Sequence, residues 1–127
     1  MSRKIIKTND APQAIGPYSQ AVDTGGFVFV SGQIPIDPKT GNVVQEDIKT
    51  QTKLVMENAL AILKASGCEM AKVVKTTIYL KSMSNFGAVN EVYGGYFTSD
   101  PPARATVEVS RLPKDVDVEI DFIAWKG

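Results

Sequence analysis

The sequence contains no histidine and only one cysteine, Cys68, among its 127 residues. Without an imidazole, Ser-His-Asp and Cys-His systems of nucleophilic catalysis are excluded, and so are metal sites that use histidine ligands. A lone cysteine can form neither an internal disulfide nor a CxxC redox pair, so nothing in the composition indicates an oxidising compartment. Any enzymatic mechanism here must therefore work without an imidazole.

Net charge is missing as well, because 14 Lys and Arg residues balance 14 Asp and Glu residues. Without excess positive charge, the chain carries no electrostatic footprint for duplex nucleic acid or for an anionic membrane. The amino-terminal apolar run stops after Ile5 and Ile6, so neither a targeting segment nor a membrane span is predicted. We expect a single cytoplasmic domain over residues 1–127, with no nucleic-acid and no membrane partner.

Alternation of apolar and polar residues, punctuated by glycine and proline, predicts short strands. The predicted strands cover residues 4–7, 19–22, 27–33, 73–81, 104–109 and 117–125. Turn-forming residues at positions 23–26 predict a hairpin between the second strand and the third.

Two segments have helical periodicity instead. Apolar residues at helical spacing predict a helix over residues 47–66, and Gly67 follows as the stop signal. Ser84 fits the N-cap of a second helix that reaches about residue 97. The order of elements predicts an α+β fold with one sheet covered on one face by two helices.

The segment 27–30 (FVFV) is apolar at every position, which predicts a strand buried on both faces. Two helices cover only one face of the sheet, so something else has to cover the other. We expect a second copy of the chain to do so, which makes the protein a homo-oligomer with its interface on the open sheet face. The alternative is a sheet face that leaves these residues mildly exposed.

Charged residues occur on the last two predicted strands. If the apolar side of both strands packs under the helices, then Arg104, Glu119 and Asp121 project together onto the open face. The planar guanidinium of arginine matches a carboxylate with two parallel donors, which indicates a small carboxylate ligand. Glu119 is the candidate for holding or activating a water, provided that its surroundings raise its pKa. The alternative is that the arginine and a carboxylate simply neutralise each other across the interface.

Other polar residues are candidates for the same cleft, each with a structural alternative. Tyr18 lies in an irregular segment, where a phenol reaches a pocket or occupies a surface turn. Gly32, next to Ser31, would let a ligand approach backbone N–H groups, and the alternative is a strand bulge. Asn90 on the second helix is interpreted, on the residues alone, as a solvated position.

Several motifs occur in order along the chain. They are AIGPYSQ at 14–20, SGQIP at 31–35, VKTT at 74–77, PAR at 102–104, VEV at 107–109 and RLPKD at 111–115. Together they resemble the reactive intermediate deaminase family, also called the YjgF or RidA-like family, and the resemblance extends over residues 5–124.

The resemblance implies a chorismate-mutase-like fold assembled as a homotrimer with three clefts between subunits. It implies hydrolysis of enamines and their imine tautomers, such as 2-aminoacrylate and 2-aminocrotonate, to 2-keto acids and ammonia. Pyridoxal-phosphate-dependent dehydratases release these intermediates, and the deaminase itself is expected to use no metal and no organic cofactor. The last strand is expected to be inserted within the sheet instead of pairing with residues 104–109.

The resemblance also assigns site residues. It implies that Arg104 binds the substrate carboxylate and that Glu119 holds the water. The resemblance also counts Thr106 among the substrate-binding residues. This position is cysteine in many members, and the difference should matter little if the position contributes a backbone contact. The residues expected to line the cleft, some of them from the neighbouring subunit, are Tyr18, Ser31, Gly32 and Asn90.

Two other functions stay open from the sequence. One is a ligand-sensing or partner-binding module that keeps the cleft without important chemistry. The other is RNA cleavage or inhibition of translation, which is less favoured because the net charge is zero and no basic, aromatic-interleaved surface is visible.

Overall fold

Six strands and two helices follow one another in the computed structural model, which describes residues 3–127. The strands are β1 (Lys4–Ile6), β2 (Ala21–Asp23), β3 (Phe27–Gln33), β4 (Val73–Leu80), β5 (Ala103–Glu108) and β6 (Val118–Trp125), and the helices are α1 (Ile48–Ala65) and α2 (Phe86–Gly94). The strand order is β1-β2-β3-β6-β4-β5, and β4 and β5 run parallel while the other neighbours are antiparallel. The predicted α+β class, with one mixed sheet and two helices on one face, is confirmed.

The predicted hairpin joins β2 to β3. The Thr24 N–H donates to the Phe27 carbonyl oxygen at 2.9 Å, and the Asp23 carboxylate accepts from the Gly25 N–H at 2.8 Å. Gly25 has φ +98°, a conformation that favours glycine. The last strand, β6, lies between β3 and β4, as the family resemblance implied.

Helix α1 agrees with its apolar stripe, since Val55, Ala59 and Ile62 are fully buried. The start of α2 was predicted wrongly at Ser84: a single 3-10 turn over Met83–Asn85 comes first, and the Ser82 hydroxyl accepts from the Ser84 N–H. Helix α2 ends at Gly94 instead of residue 97, because two successive glycines have low helix propensity. Neither helix in the described chain has the length and apolar character needed to cross a membrane.

The core lies between the helices and one face of the sheet, and the other face is open in the single chain. Val28 and Val30 are buried under the helices, whereas Phe27 and Phe29 on the same strand are 41% and 45% exposed. The ring centroids of Phe27 and Trp125 lie 4.8 Å apart on this open face. Strand β3 is thus covered on one side only in the single chain, and its other side is an exposed apolar surface.

Strand β5 presents its residues the opposite way from our prediction. Arg104 pairs with Thr76 in the parallel register of β4 and β5, and Thr76 is buried under the helices. Paired residues of neighbouring strands share a face, so Arg104 lies on the helix side. Glu119 pairs with Tyr79 and lies on the open side. The prediction that Arg104 and Glu119 share one face is wrong, because the apolar residues of this edge strand point to the open face.

Candidate functional site

A cleft of about 580 Å³ opens beside the end of β3. Its lining includes Tyr18, Ser31, Gly32 and Glu119, and we call it the Glu119 cleft. Apolar side chains such as Ile34 complete the wall. Four of the residues singled out from the sequence are therefore brought together in one place.

A bulge in β3 shapes this cleft. The pairing of β3 with β6 shifts between Val30 and Gln33, so Ser31 and Gly32 fall in the irregular stretch. A Cβ built on Gly32 would overlap the Glu119 carboxylate and lie 2.9 Å from its Cδ. The glycine is needed here because the Glu119 carboxylate occupies the space that a side chain would fill.

Ser31 ties the bulge to the segment that precedes β2. Its hydroxyl donates to the Ser19 carbonyl oxygen, and its N–H donates to the Gln20 carbonyl oxygen at 3.0 Å. Tyr18, next to Ser19, stands at the mouth of the cleft with its ring largely exposed. The phenol is thus carried on a segment that is bonded to the floor of the cleft.

The electrostatic environment of Glu119 favours its neutral form. Burial raises the pKa of the Glu119 carboxyl above its usual value, and the negative charge of Asp121 raises it further. Asp121 itself is fixed, because the Tyr79 hydroxyl donates to its Oδ2 at 3.0 Å. A carboxyl whose pKa is shifted toward neutrality is suited to exchange protons with a water.

Arg104 lies in a second cleft, of about 420 Å³, between β5 and α2. Its Nη1 donates to Asn90 Oδ1 at 2.6 Å. The guanidinium carbon lies 5.1 Å from the ring centroid of Tyr93 and 5.4 Å from that of Phe86, distances at which a cation is attracted to an aromatic face. We call this the Arg104 cleft; here α2 fixes the arginine, whose planar fork suits a carboxylate.

Thr106 follows two residues after Arg104 and lies on the same face of β5. Its Oγ1 is buried and has no hydrogen-bond partner among the described residues. Buried polar atoms usually have a partner. The edge of the sheet next to Arg104 therefore carries an unsatisfied hydroxyl.

The predicted site residues thus fall into two groups in one chain. Tyr18, Ser31, Gly32 and Glu119 line one cleft, whereas Arg104 and Asn90 line the other, with Thr106 beside them. The arginine and the carboxylate therefore lie in separate clefts of a single chain. Within residues 3–127, no group of three or more Cys, Asp and Glu side chains is arranged to hold a metal ion.

Sequence reasoning missed Phe86 and Tyr93, which pack against the arginine. Both lie at helical spacing from Asn90, four residues before it and three after it, so they share its side of α2. Their spacing from a candidate site residue was the signal that could have found them.

Replacing Tyr93 by phenylalanine is expected to lower the free energy of unfolding by about 1–3 kcal/mol, because it leaves the buried Thr76 hydroxyl without a partner. The two hydroxyl oxygens lie 2.7 Å apart. Urea unfolding measures the loss, and adding Thr76→Val should restore part of it, since neither polar group then remains. A Tyr93→Phe variant as stable as the wild type would contradict this account.

The whole-chain sequence was compared with models of known protein families. The family model described as Endoribonuclease L-PSP matches residues 8–126. The chain belongs to this family. The predicted membership of the reactive intermediate deaminase family is thereby confirmed, since a deaminase is among the similar proteins of the family.

Family relatives are similar over almost their whole length. A RutC family protein of Pyrococcus horikoshii is 56% identical, covering 98% of both chains. The 2-iminobutanoate/2-iminopropanoate deaminase of Salmonella typhimurium is 50% identical over 95% of this chain and 96% of its own. The crystal structure of Escherichia coli TdcF with bound serine superposes with a TM-score of 0.94 at 44% identity, covering 98% of this chain and 99% of that one.

Proposed function

We propose that this protein is a hydrolytic deaminase that converts small 2-enamino and 2-imino acids, such as 2-aminoacrylate and 2-aminocrotonate, to 2-keto acids and ammonia. The observation that carries the proposal is the pair of half-sites: a preorganised arginine fork in one cleft and a half-buried carboxylate in the other. The activity named for the Salmonella relative and the serine bound to TdcF, a small amino acid, support the same class of ligand.

The complete site is formed between copies of the chain in a homotrimer. Glu119 faces the open side of the sheet, which also exposes Phe29 and Trp125. An apolar face of this kind favours association. Arg104 lies on the edge strand β5, so a neighbouring copy packed on the open face can bring its arginine to Glu119.

The reaction needs three steps and no cofactor. Arg104 holds the substrate carboxylate through two parallel N–H donors, which fixes the imino carbon near Glu119 of the neighbouring subunit. The enamine tautomerises to the imine, and water attacks C2 as Glu119 accepts a water proton. Glu119 passes that proton to the nitrogen, which gives the neutral carbinolamine. Glu119 then takes the proton of the C2 hydroxyl and delivers it to the nitrogen as the C–N bond breaks and the C2 carbonyl forms, so that imine and water yield 2-keto acid and ammonia.

The proposal is tested by generating 2-aminoacrylate with a serine dehydratase and following its decay with and without the protein. We expect clear acceleration by the wild type. If decay proceeds at the spontaneous rate at all protein concentrations, the deaminase assignment is wrong. Tight binding of a small carboxylate under those conditions would instead favour the ligand-sensing module.

Mixing two inactive variants tests whether the site is shared. Arg104→Ala and Glu119→Gln are unfolded together and refolded as an equal mixture, so that their subunits assemble at random. In a ring of head-to-tail contacts, about one quarter of the sites then pair an intact arginine with an intact carboxylate. The mixture should regain about that fraction of wild-type activity, and each variant refolded alone should not.

Sedimentation provides the control for this experiment. The assembled protein is expected to have about three times the 13.7 kDa chain mass. A mixture that sediments as a trimer and regains no activity would show that each chain carries its own complete site.

A further inference from the structure

Three buried amide side chains bond to segments that form the Glu119 cleft, and one of them, Gln20, also lines it. Gln20, Asn58 and Gln51 are 3%, 2% and 1% exposed. A buried amide is costly unless it is hydrogen-bonded, so the groups that these three bond to identify what each one holds. Each of them bonds to the backbone of a different irregular segment at the cleft.

Gln20 holds the segment before β2. Its Oε1 accepts from the Thr8 N–H at 2.7 Å, and its Nε2 donates to the carbonyl oxygens of Thr8 at 3.0 Å and Pro12 at 2.8 Å. Pro12 and Tyr18 of that segment line the cleft. The Gln20 carbonyl oxygen also accepts from the Ser31 N–H on the bulge, so one residue ties two walls of the cleft together.

Asn58 holds the segment that follows β3. It projects from α1, and its Nδ2 donates to the Ile36 carbonyl oxygen at 2.9 Å. Ile34 and Ile36 form part of the apolar wall of the cleft. This segment has no sheet ladder apart from one bridge, between Ile36 and Val43, so the amide supplies a bond that a neighbouring strand would otherwise supply.

Gln51, also on α1, holds the start of β6. Its Nε2 donates to the Glu46 carbonyl oxygen at 2.8 Å and to Asp117 Oδ2 at 2.9 Å, and its Oε1 accepts from the Asp117 N–H at 3.2 Å. Asp117 stands two residues before Glu119. The connection just before it carries Pro113 and Lys114, which line the cleft.

We infer that Gln20, Asn58 and Gln51 are positioning residues that fix the three segments of the Glu119 cleft within a single chain, before a second copy contributes its arginine. The inference rests on the proposed function for its kinetic consequence, but the positioning itself does not depend on any reaction. Fixed geometry matters because small misplacements of reacting groups cost a large part of the rate.

Hydrogen exchange measured by mass spectrometry tests the positioning directly. The variants Gln20→Leu, Asn58→Leu and Gln51→Leu each remove one set of bonds while keeping a side chain of similar size. Each is expected to speed amide exchange about tenfold or more in its own segment, residues 8–18, 34–44 or 110–117, and to leave the other two near wild type. Uniformly faster exchange in all three segments would overturn the inference.

Kinetics with 2-iminopropanoate provide the second readout. Gln51→Leu is expected to lower kcat about tenfold or more, because it releases the strand that carries Glu119, with little change in KM. Gln20→Leu and Asn58→Leu are expected mainly to raise KM, because the segments that they hold line the cleft in which the proposed substrate would bind. Unchanged kcat and KM in all three variants, with an active wild type, would overturn the inference; an inactive wild type would instead contradict the proposed function.

Thr52→Val is the matched control. Thr52 is a fully buried polar residue of α1 whose hydroxyl donates to the Ile48 carbonyl oxygen at 2.7 Å, within the helix. The Thr52→Val substitution should lower the stability of the protein without changing amide exchange in the three segments or the values of kcat and KM. If Gln20→Leu does not fold, Gln20→Glu replaces it. The carboxyl group keeps an acceptor for the Thr8 N–H, but it loses its hydrogen-bond donor as it ionises. The segment before β2 is then held less firmly at high pH, so KM should rise with pH.

Discussion

Replacing Arg104 by lysine is expected to lower kcat/KM for 2-iminopropanoate by about 100-fold, chiefly through a higher KM. An ammonium is a point charge that cannot form two parallel hydrogen bonds to a carboxylate, and each lost charged hydrogen bond weakens binding by about 1.5–3 kcal/mol. Lysine also replaces the planar guanidinium that lies over the rings of Phe86 and Tyr93, the contacts through which α2 holds the arginine. The coupled dehydratase assay measures the loss.

Arg3→Lys is the control for this substitution. Arg3 is exposed and lies outside both clefts, so the same chemical change there should leave kcat/KM within the error of the assay. An Arg104→Lys variant with wild-type kcat/KM would show that a point charge suffices and would refute the carboxylate clamp.

Glu119→Gln is expected to lower kcat by about 100-fold or more, because an amide cannot accept the water proton and acid–base help of this kind is worth roughly 10²–10⁴-fold. The wild-type pH profile should show the reason. Since burial and Asp121 raise the pKa of Glu119, activity should fall on the acid side at a higher pH than the usual carboxyl value of 4.5.

The variant Asp121→Asn tests the cause of the raised Glu119 pKa by shifting the pH profile. Removing the Asp121 charge should lower the pKa of Glu119 and move the acid limb to lower pH, while the new amide oxygen still accepts from Tyr79. Glu69→Gln, an exposed change outside both clefts, should leave the profile unchanged. An acid limb that stays in place in Asp121→Asn would contradict the role of Glu119.

The raised pKa of Glu119 should also make the stability of the folded protein fall as pH rises. The folded state binds the Glu119 proton more tightly than the unfolded state, so the free energy of unfolding falls as pH rises from the unfolded pKa through the folded pKa. In Glu119→Gln this decline in the free energy of unfolding is absent, because the amide does not titrate. Urea unfolding should find the variant more stable than the wild type above this window, and the difference should vanish well below the usual carboxyl pKa.

Local patterns in the sequence were enough to predict most elements of the fold. The hairpin needed only the turn residues at 23–26, and α1 needed only its apolar stripe and Gly67, because both signals lie within one element. The start of α2 was missed because Ser82 and Ser84 are equally good caps, and the intervening 3-10 turn depends on how the chain leaves β4.

The face of Arg104 could not be predicted from alternation. On central strands such as β6 the apolar side marks the helices, since helices are what covers them. On the edge strand β5 that rule fails, because Val107 points to the open face and is exposed in the single chain. The motifs indicate which residues to expect at the site, but only the parallel register of β4 and β5 shows that Arg104 and Glu119 lie in different clefts.

Under the proposed assembly, the separation of the two clefts makes the catalytic activity depend on the protein concentration. A single chain already has its arginine fixed by α2 and its carboxylate seated over Gly32. On the proposed function it is nevertheless inactive until it associates with another chain. Turnover per chain should then decline on dilution below the dissociation constant of the assembly, and low-level synthesis should yield inactive subunits. On this proposal, activity appears only above a threshold concentration of the protein, which the geometry of one strand edge sets.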